Sequence, residues 1–240
     1  MLNASAETAL RIAANWQRVL TEVAEAVSQA GRSAGEVQIV GVAKYVDVDL
    51  TAQLFDSGCH ALGENRPQNL WDKAETFAAA GRSPDWHLIG HLQRNKIRRS
   101  LPYLGWLHSL DSLRLANALN DEAATANIRL KVLLEVNITH DITKTGLPIA
   151  ELEQVAEQVA AMPQLELRGL MAMCSRDSGG DWARREFAEV RQLRDQLQTK
   201  LGSQIHLDQL SMGMSGDYRE AIAEGSTMLR IGSSLFEGIL

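Results

Sequence analysis

Residues 38–44 read QIVGVAK: an apolar, β-branched run that ends on a lysine. An ammonium at the end of a buried strand loses its water shell, which is costly. Lys44 is therefore either a solvated strand end whose aliphatic stem snorkels outward, or an amine kept ready for a carbonyl, with which a neutral amine forms a Schiff base. The second role needs a ligand site. Two glycine–serine turns, SMGMSGD (211–217) and IGSS (231–234), offer one. Gly213 would admit close backbone approach, Ser211 and Ser215 carry hydroxyls, and a helix is expected to open near Ser215. Its first amides and its dipole would face an anion. Glycine and serine also fill ordinary turns; the two turns together suit a phosphate.

Arg230 lies inside the apolar run TMLRIG, so its guanidinium needs a partner. That is either a structural ion pair with Glu64 or Glu135, or a ring nitrogen or anionic ligand. Asn65, after Gly63 and Glu64, either caps the next helix or donates to a ligand. His87 and His91 flank Gly90, but no third residue follows at a metal-ligand spacing, so packed or hydrogen-bonded histidines are expected. Cys174, Met171 and Met173 read as core or rim residues. No Ser-His-Asp pattern and no Walker-type loop is apparent.

Eight apolar runs would carry these residues: 37–43, 59–63, 86–90, 106–110, 130–137, 165–173, 207–213 and 227–232. Helical stretches alternate with them near 47–57, 66–80, 93–100, 111–125, 148–161, 181–201 and 215–224, several with capping signals such as Asp111 and Pro148. A further helix is expected over 5–30, where Leu10, Ile12, Ala13, Trp16, Val19, Leu20, Val23 and Val27 recur at helical steps. Strict alternation predicts a parallel sheet with helical crossovers. Eight units in 240 residues suit a single (β/α)8 TIM barrel, ordinarily ~250 residues long, with an extra N-terminal helix. A doubly wound open sheet is the alternative. No linker divides the chain, so residues 1–240 are expected to form one domain. In a barrel, Lys44, Asn65 and both glycine–serine turns would share the C-terminal face, where barrel chemistry sits.

A net charge of −6 argues against nucleic acid or anionic membrane as partners. The basic cluster RNKIRRS (94–100) reads as a solvated helix face, with a polyanion patch as the lesser option. Two cysteines without metal-like spacing fit a reducing compartment. No signal-type core is apparent, and no segment approaches the roughly 20 apolar residues of a membrane span. A cytoplasmic location is expected.

The motifs VAK (42–44), LGEN (62–65), WHLIGHLQRNK (86–96), HSLDS (108–112), VLLEVN (132–137), KTGLP (144–148), LRGLMAM (167–173), LSMGMSGDYREAIAEGST (210–227) and LRIGSSLF (229–236) carry a family likeness. Over residues 7–236 the chain resembles the YggS/PROSC family, the pyridoxal 5′-phosphate (PLP) homeostasis proteins. The resemblance implies a barrel similar to the N-terminal domain of alanine racemase. It implies PLP held as an aldimine on Lys44, with the phosphate around Ser211, Met212, Gly213, Gly232 and Ser233. It sets Arg230 toward the pyridine nitrogen, which disfavours protonation there and weakens the ring as an electron sink. Asn65 would lie near the cofactor, with His91 a neighbour.

Three departures stand out. Ala43 replaces the usual Ser or Thr before the lysine, RPQN (66–69) follows GEN, and Glu237 precedes Gly238. The function implied is a non-catalytic PLP carrier that maintains vitamin B6 balance, with PLP-dependent apo-enzymes as possible recipients. The alternatives are a PLP-dependent racemase or decarboxylase, and a Schiff-base aldolase without PLP. A racemase of this fold type adds a β-rich domain and a partner's tyrosine base. This chain stops at strand 8 and has three tyrosines, Tyr45, Tyr103 and Tyr218, so a monomeric carrier is expected.

Overall fold

The computed structural model describes residues 4–139, 145–175 and 180–240. Lys144, in the KTGLP stretch, lies outside them. Within the described residues, eight parallel strands follow the apolar runs: β1 (Gln38–Val42), β2 (Ala61–Glu64), β3 (Asp85–Leu88), β4 (Trp106–Leu110), β5 (Leu130–Asn137), β6 (Leu165–Met171), β7 (Gln209–Met214) and β8 (Met228–Ile231). Each pairs with the next, and β8 pairs with β1, so the sheet closes into a barrel. The open-sheet alternative is thereby excluded. A two-residue bridge, Leu147–Pro148, adds a short parallel pairing to the end of β5.

Helices α1 (Ala4–Gln29), α2 (Val48–Asp56), α3 (Pro67–Ala79), α4 (Ile97–Ser100), α5 (Leu113–Ala126), α6 (Ile149–Ala160), α7 (Gly180–Leu201) and α8 (Tyr218–Ala223) surround it. Among the described residues no helix is long and apolar enough to cross a membrane. Helix α1 buries Ile12, Trp16, Val19, Val23 and Val27, but Leu10 and Leu20 are exposed; its buried stripe is narrower than the full set of apolar positions. Asn15 Nδ2 donates to Leu235 O at 3.2 Å, and Arg18 Nη2 lies 2.6 Å from Glu237 Oε2. The unusual Glu237 thus ties the last turn to α1. The cap of α5 falls on Ser112 rather than Asp111, with Ser112 Oγ accepting from Leu115 N at 3.3 Å.

Two neighbouring glycines reveal which way the strands face. A Cβ on Gly41 would stand 2.6 Å from Cys59 Sγ and 3.0 Å from Leu54, under α2, whereas one on Gly63 would meet Val40 and Val42. Val40 and Val42 therefore point into the barrel and Gly41 points out. With a period of two along each strand, Trp106, Leu133, Met171 and Met228 form one interior cluster. His108, Glu135 and Arg230, two residues further along, share its inward face. Barrel interiors are ordinarily filled by branched apolar side chains; here one layer is polar.

Candidate functional site

Register brings the strand ends together. Val42 pairs with Gly63, so Lys44 and Asn65, each two residues on, leave the barrel side by side. Gly41 pairs with Ile231 and Arg230 with Met214, which sets Gly232–Ser233 and Met214–Ser215 on the other flank of β1. Lys44 is half-buried, and its Nζ stands 4.9 Å from the ring centroid of Tyr45. The strand stops because Val46 N turns back to Ala43 O at 3.1 Å and Asp47 caps α2, its Oδ1 accepting from Leu50 N at 2.9 Å.

The carbonyl of Ala43 also accepts from Lys73 Nζ at 2.8 Å, and that ammonium pairs with Glu64 Oε1 at 2.5 Å. Both side chains are buried, under α3 on the outside of the barrel. Burial raises the Glu64 carboxyl above its ordinary value, while Lys73 and Lys44 oppose the shift. Glu64 Oε2 has no hydrogen-bond partner among the described residues. Asn65 follows directly, and a Cβ on Gly90 would fall 2.2 Å from Asn65 O. The β3–α4 loop therefore rests on the Asn65 backbone at a position that admits no side chain.

Gly213 has φ +92°, and a Cβ there would stand 2.6 Å from that of Ala221. Conformation and packing both require glycine. The helix expected near Ser215 starts at Tyr218, because Asp217 Oδ1 accepts from Met214 N at 2.5 Å and closes a turn first. The anion donors here are thus turn groups rather than a helix end. Gly232 N donates to Ser215 Oγ at 3.4 Å, joining the two turns. Beyond it, the amides of Ser233 and Ser234 open the short 3-10 turn Ser233–Leu235, where first amides lack internal acceptors. Met212, by contrast, is wholly buried, so it can offer a site only backbone groups.

Arg230 is buried, yet it pairs with neither Glu64 nor Glu135. Its Nη1 donates to Ser211 O at 2.6 Å and to Ser211 Oγ at 2.7 Å, and its Nη2 donates to Ala172 O at 2.9 Å. Three of the five guanidinium N–H donors are thus fixed. Desolvation brings it down to about 10, with Asp217 and Glu135 opposing from a distance. Ser211 points into the barrel, and its hydroxyl is committed to Arg230 and to His108 Nδ1, 2.8 Å away.

The two flagged histidines part company. His87 is wholly buried, while His91 is over half exposed and lies 3.1 Å from Asp111 Oδ2 at the mouth. In the basic cluster, Arg98 meets Glu122 at 2.9 Å and Arg99 meets Glu75 at 3.4 Å, as on a solvated helix face. Three residues were under-read from sequence. His108 had a signal, a histidine inside the buried run WLHSL. Lys73 sits in an ordinary amphipathic helix, and Ser215, read as a hydroxyl near a helix start, instead accepts from Gly232 N and links the two turns.

This chain, a closed barrel, matches the family model of the alanine racemase N-terminal domain over residues 12–238. The alanine racemase of Corynebacterium glutamicum shares this fold at 18% identity and a TM-score of 0.72, over 96% of this chain and 63% of that one. More specific likenesses narrow the class. The pyridoxal phosphate homeostasis protein of Escherichia coli K12 is 38% identical over 226 residues, covering 94% of this chain and 95% of its own. PipY of Synechococcus elongatus, in a structure with PLP bound, is 32% identical with a TM-score of 0.80, over 89% of this chain and 99% of that one. The chain belongs to the pyridoxal phosphate homeostasis protein family.

Proposed function

We propose that this chain binds PLP covalently through Lys44 and serves PLP homeostasis without committed catalysis. The relatives' names, and the PLP bound in PipY, support the cofactor and the role. The strongest structural support is the meeting of a half-buried amine, a two-turn anion cradle and a buried guanidinium at one barrel mouth. These groups fit PLP. The cofactor supplies an aldehyde for an amine and a phosphate for hydrogen-bond donors. Lys44 is the amine. Ser215 and the amides of Ser233 and Ser234 bind the phosphate, with Gly213 and Gly232 leaving room for it. Asn65 lies beside the ring, and the donors of Arg230 not engaged by Ser211 and Ala172 serve the ring nitrogen. Ser211 contributes by holding Arg230, and Met212 by its backbone.

We read residues 1–240 as one domain of a cytoplasmic monomer that yields PLP to apo-enzymes. Borohydride reduction of the loaded protein should fix one PLP on the peptide containing Lys44, and Lys44→Ala should abolish the label. Label on another lysine, or none, would overturn the assignment. Sustained amino-acid racemisation or decarboxylation that disappears in Lys44→Ala would replace the carrier with an enzyme.

A further inference from the structure

A continuous chain of side chains crosses the barrel interior from Arg230. Arg230 Nη1 donates to Ser211 Oγ at 2.7 Å, and Ser211 Oγ lies 2.8 Å from His108 Nδ1. His108 Nε2 lies 2.8 Å from His87 Nδ1, and His87 Nε2 lies 3.3 Å from Asp85 Oδ2. The last contact is longer and makes no hydrogen bond, so the carboxylate acts on the ring as a nearby negative charge. Four strands contribute: β8, β7, β4 and β3. Arg230, Ser211, His108 and His87 are all buried, whereas Asp85, the first residue of β3, reaches solvent at the opposite rim.

The two ends set the direction of the chain. Arginine only donates, so Ser211 Oγ accepts its hydrogen bond and has its own O–H free to donate to His108 Nδ1. His108 then carries its proton on Nε2 and donates to His87 Nδ1, and His87 turns Nε2–H toward Asp85. Running the chain the other way would set the lone pair of His87 Nε2 against the carboxylate. Cation and anion therefore select the same tautomer in both rings. Burial, with His87 and Arg230 beside it, holds His108 well below the ordinary histidine range, which keeps the ring a neutral acceptor. Burial pushes Asp85 up, but His87, Lys131 and Trp106 outweigh it and bring the carboxyl below its ordinary value.

The serine rotor makes this chain matter. A serine hydroxyl can turn to donate or to accept, and no carboxylate contacts Arg230 among the described residues. We propose that His108 and His87 are positioning residues for Arg230. By accepting the hydrogen bond of the Ser211 O–H, His108, itself oriented by His87, keeps the serine lone pair on the guanidinium and fixes which N–H groups face the ring nitrogen of bound PLP. The part concerning PLP rests on the function proposed above; the orientation of Arg230 does not.

The test uses the full chain with and without PLP. Without ligand, ¹⁵N spectra should show both rings as Nε2–H tautomers, and Asp85→Asn and His108→Gln should each move the Arg230 Nε–H resonance. A proton on His108 Nδ1, or an Arg230 resonance unmoved in both variants, overturns the proposal. Asp85→Asn changes only the rim, so it carries the test even where His108→Gln fails to fold. With PLP, the variants should take up as much cofactor as the parent but show a shifted absorption band. Parent-like bands with only a lowered Tm mark a purely structural role and overturn the proposal. A parent chain that takes up no PLP overturns the function instead, and the ligand-free spectra then decide the chain.

Discussion

Two buried polar systems lie on opposite sides of the barrel wall and solve the same problem differently. Outside, under α3, Glu64 and Lys73 neutralise each other at 2.5 Å, and the spare valence of the ammonium pins Ala43 O. Inside, Arg230 has no counter-charge in contact among the described residues; two carbonyls, a serine and two histidines hold it. A compensated pair suits a fastener, because its opposite charges cancel in contact. An uncompensated but oriented cation suits a site, because no contacting carboxylate among the described residues meets its charge. The wall thus separates anchoring from presentation.

The most disruptive way to break this comparison is Lys73→Met. It strands a wholly buried carboxylate and should destabilise the fold by about 3–5 kcal/mol in urea titrations. Adding Glu64→Leu should recover most of that loss, since a well-packed apolar pair often matches a buried ion pair. A single variant that loses almost nothing would mean that the pair is not the fastener.

Ser211→Ala tests the inner system and should cost less, about 1–3 kcal/mol by the same titration. The carbonyls of Ser211 and Ala172 remain to hold the guanidinium. A loss as large as that of Lys73→Met would erase the distinction between the two systems.

The smallest effect concerns Glu135, whose carboxyl burial raises and Asp111 raises further, against Thr145, Arg230 and His91. The folded chain then holds this proton more tightly than the unfolded chain does. Its contribution favours the fold below the ordinary carboxylate pKa and is lost as pH rises through the raised one. Glu135→Gln should therefore gain on the parent in Tm as pH climbs from about 4 toward neutrality, with the gap closing at low pH. A gap independent of pH would show that Glu135 is not desolvated.

Much of the architecture was legible because period and punctuation are local signals. Strands β1 to β8 fall within a few residues of the apolar runs, and the strand-end rule gathered Lys44, Asn65 and Gly232–Ser233 on one face. Closure was not legible, because it depends on pairing β8 with β1 and β4 with β5. The partner of Arg230 was open between two glutamates and a ligand. What holds it are Ala172 and Ser211, 58 and 19 residues away, groups joined only by the barrel's curvature. The His87–His108 contact is hidden for the same reason. Lys73 misled because an amphipathic pattern shows which face is apolar but not whether a long cation on its edge is drawn under.

A closed ring of contacts shapes the mouth beside Lys44. Glu64, Asn65, Arg66 and the first two turns of α3 are tied back at Lys73 onto both their own strand and Ala43 of the next. Asn65 cannot swing outward without rupturing a buried ion pair. Although it stands in a loop, its local opening should be governed by a barrier typical of the core, so its amide should exchange hydrogen as slowly as those of the strands.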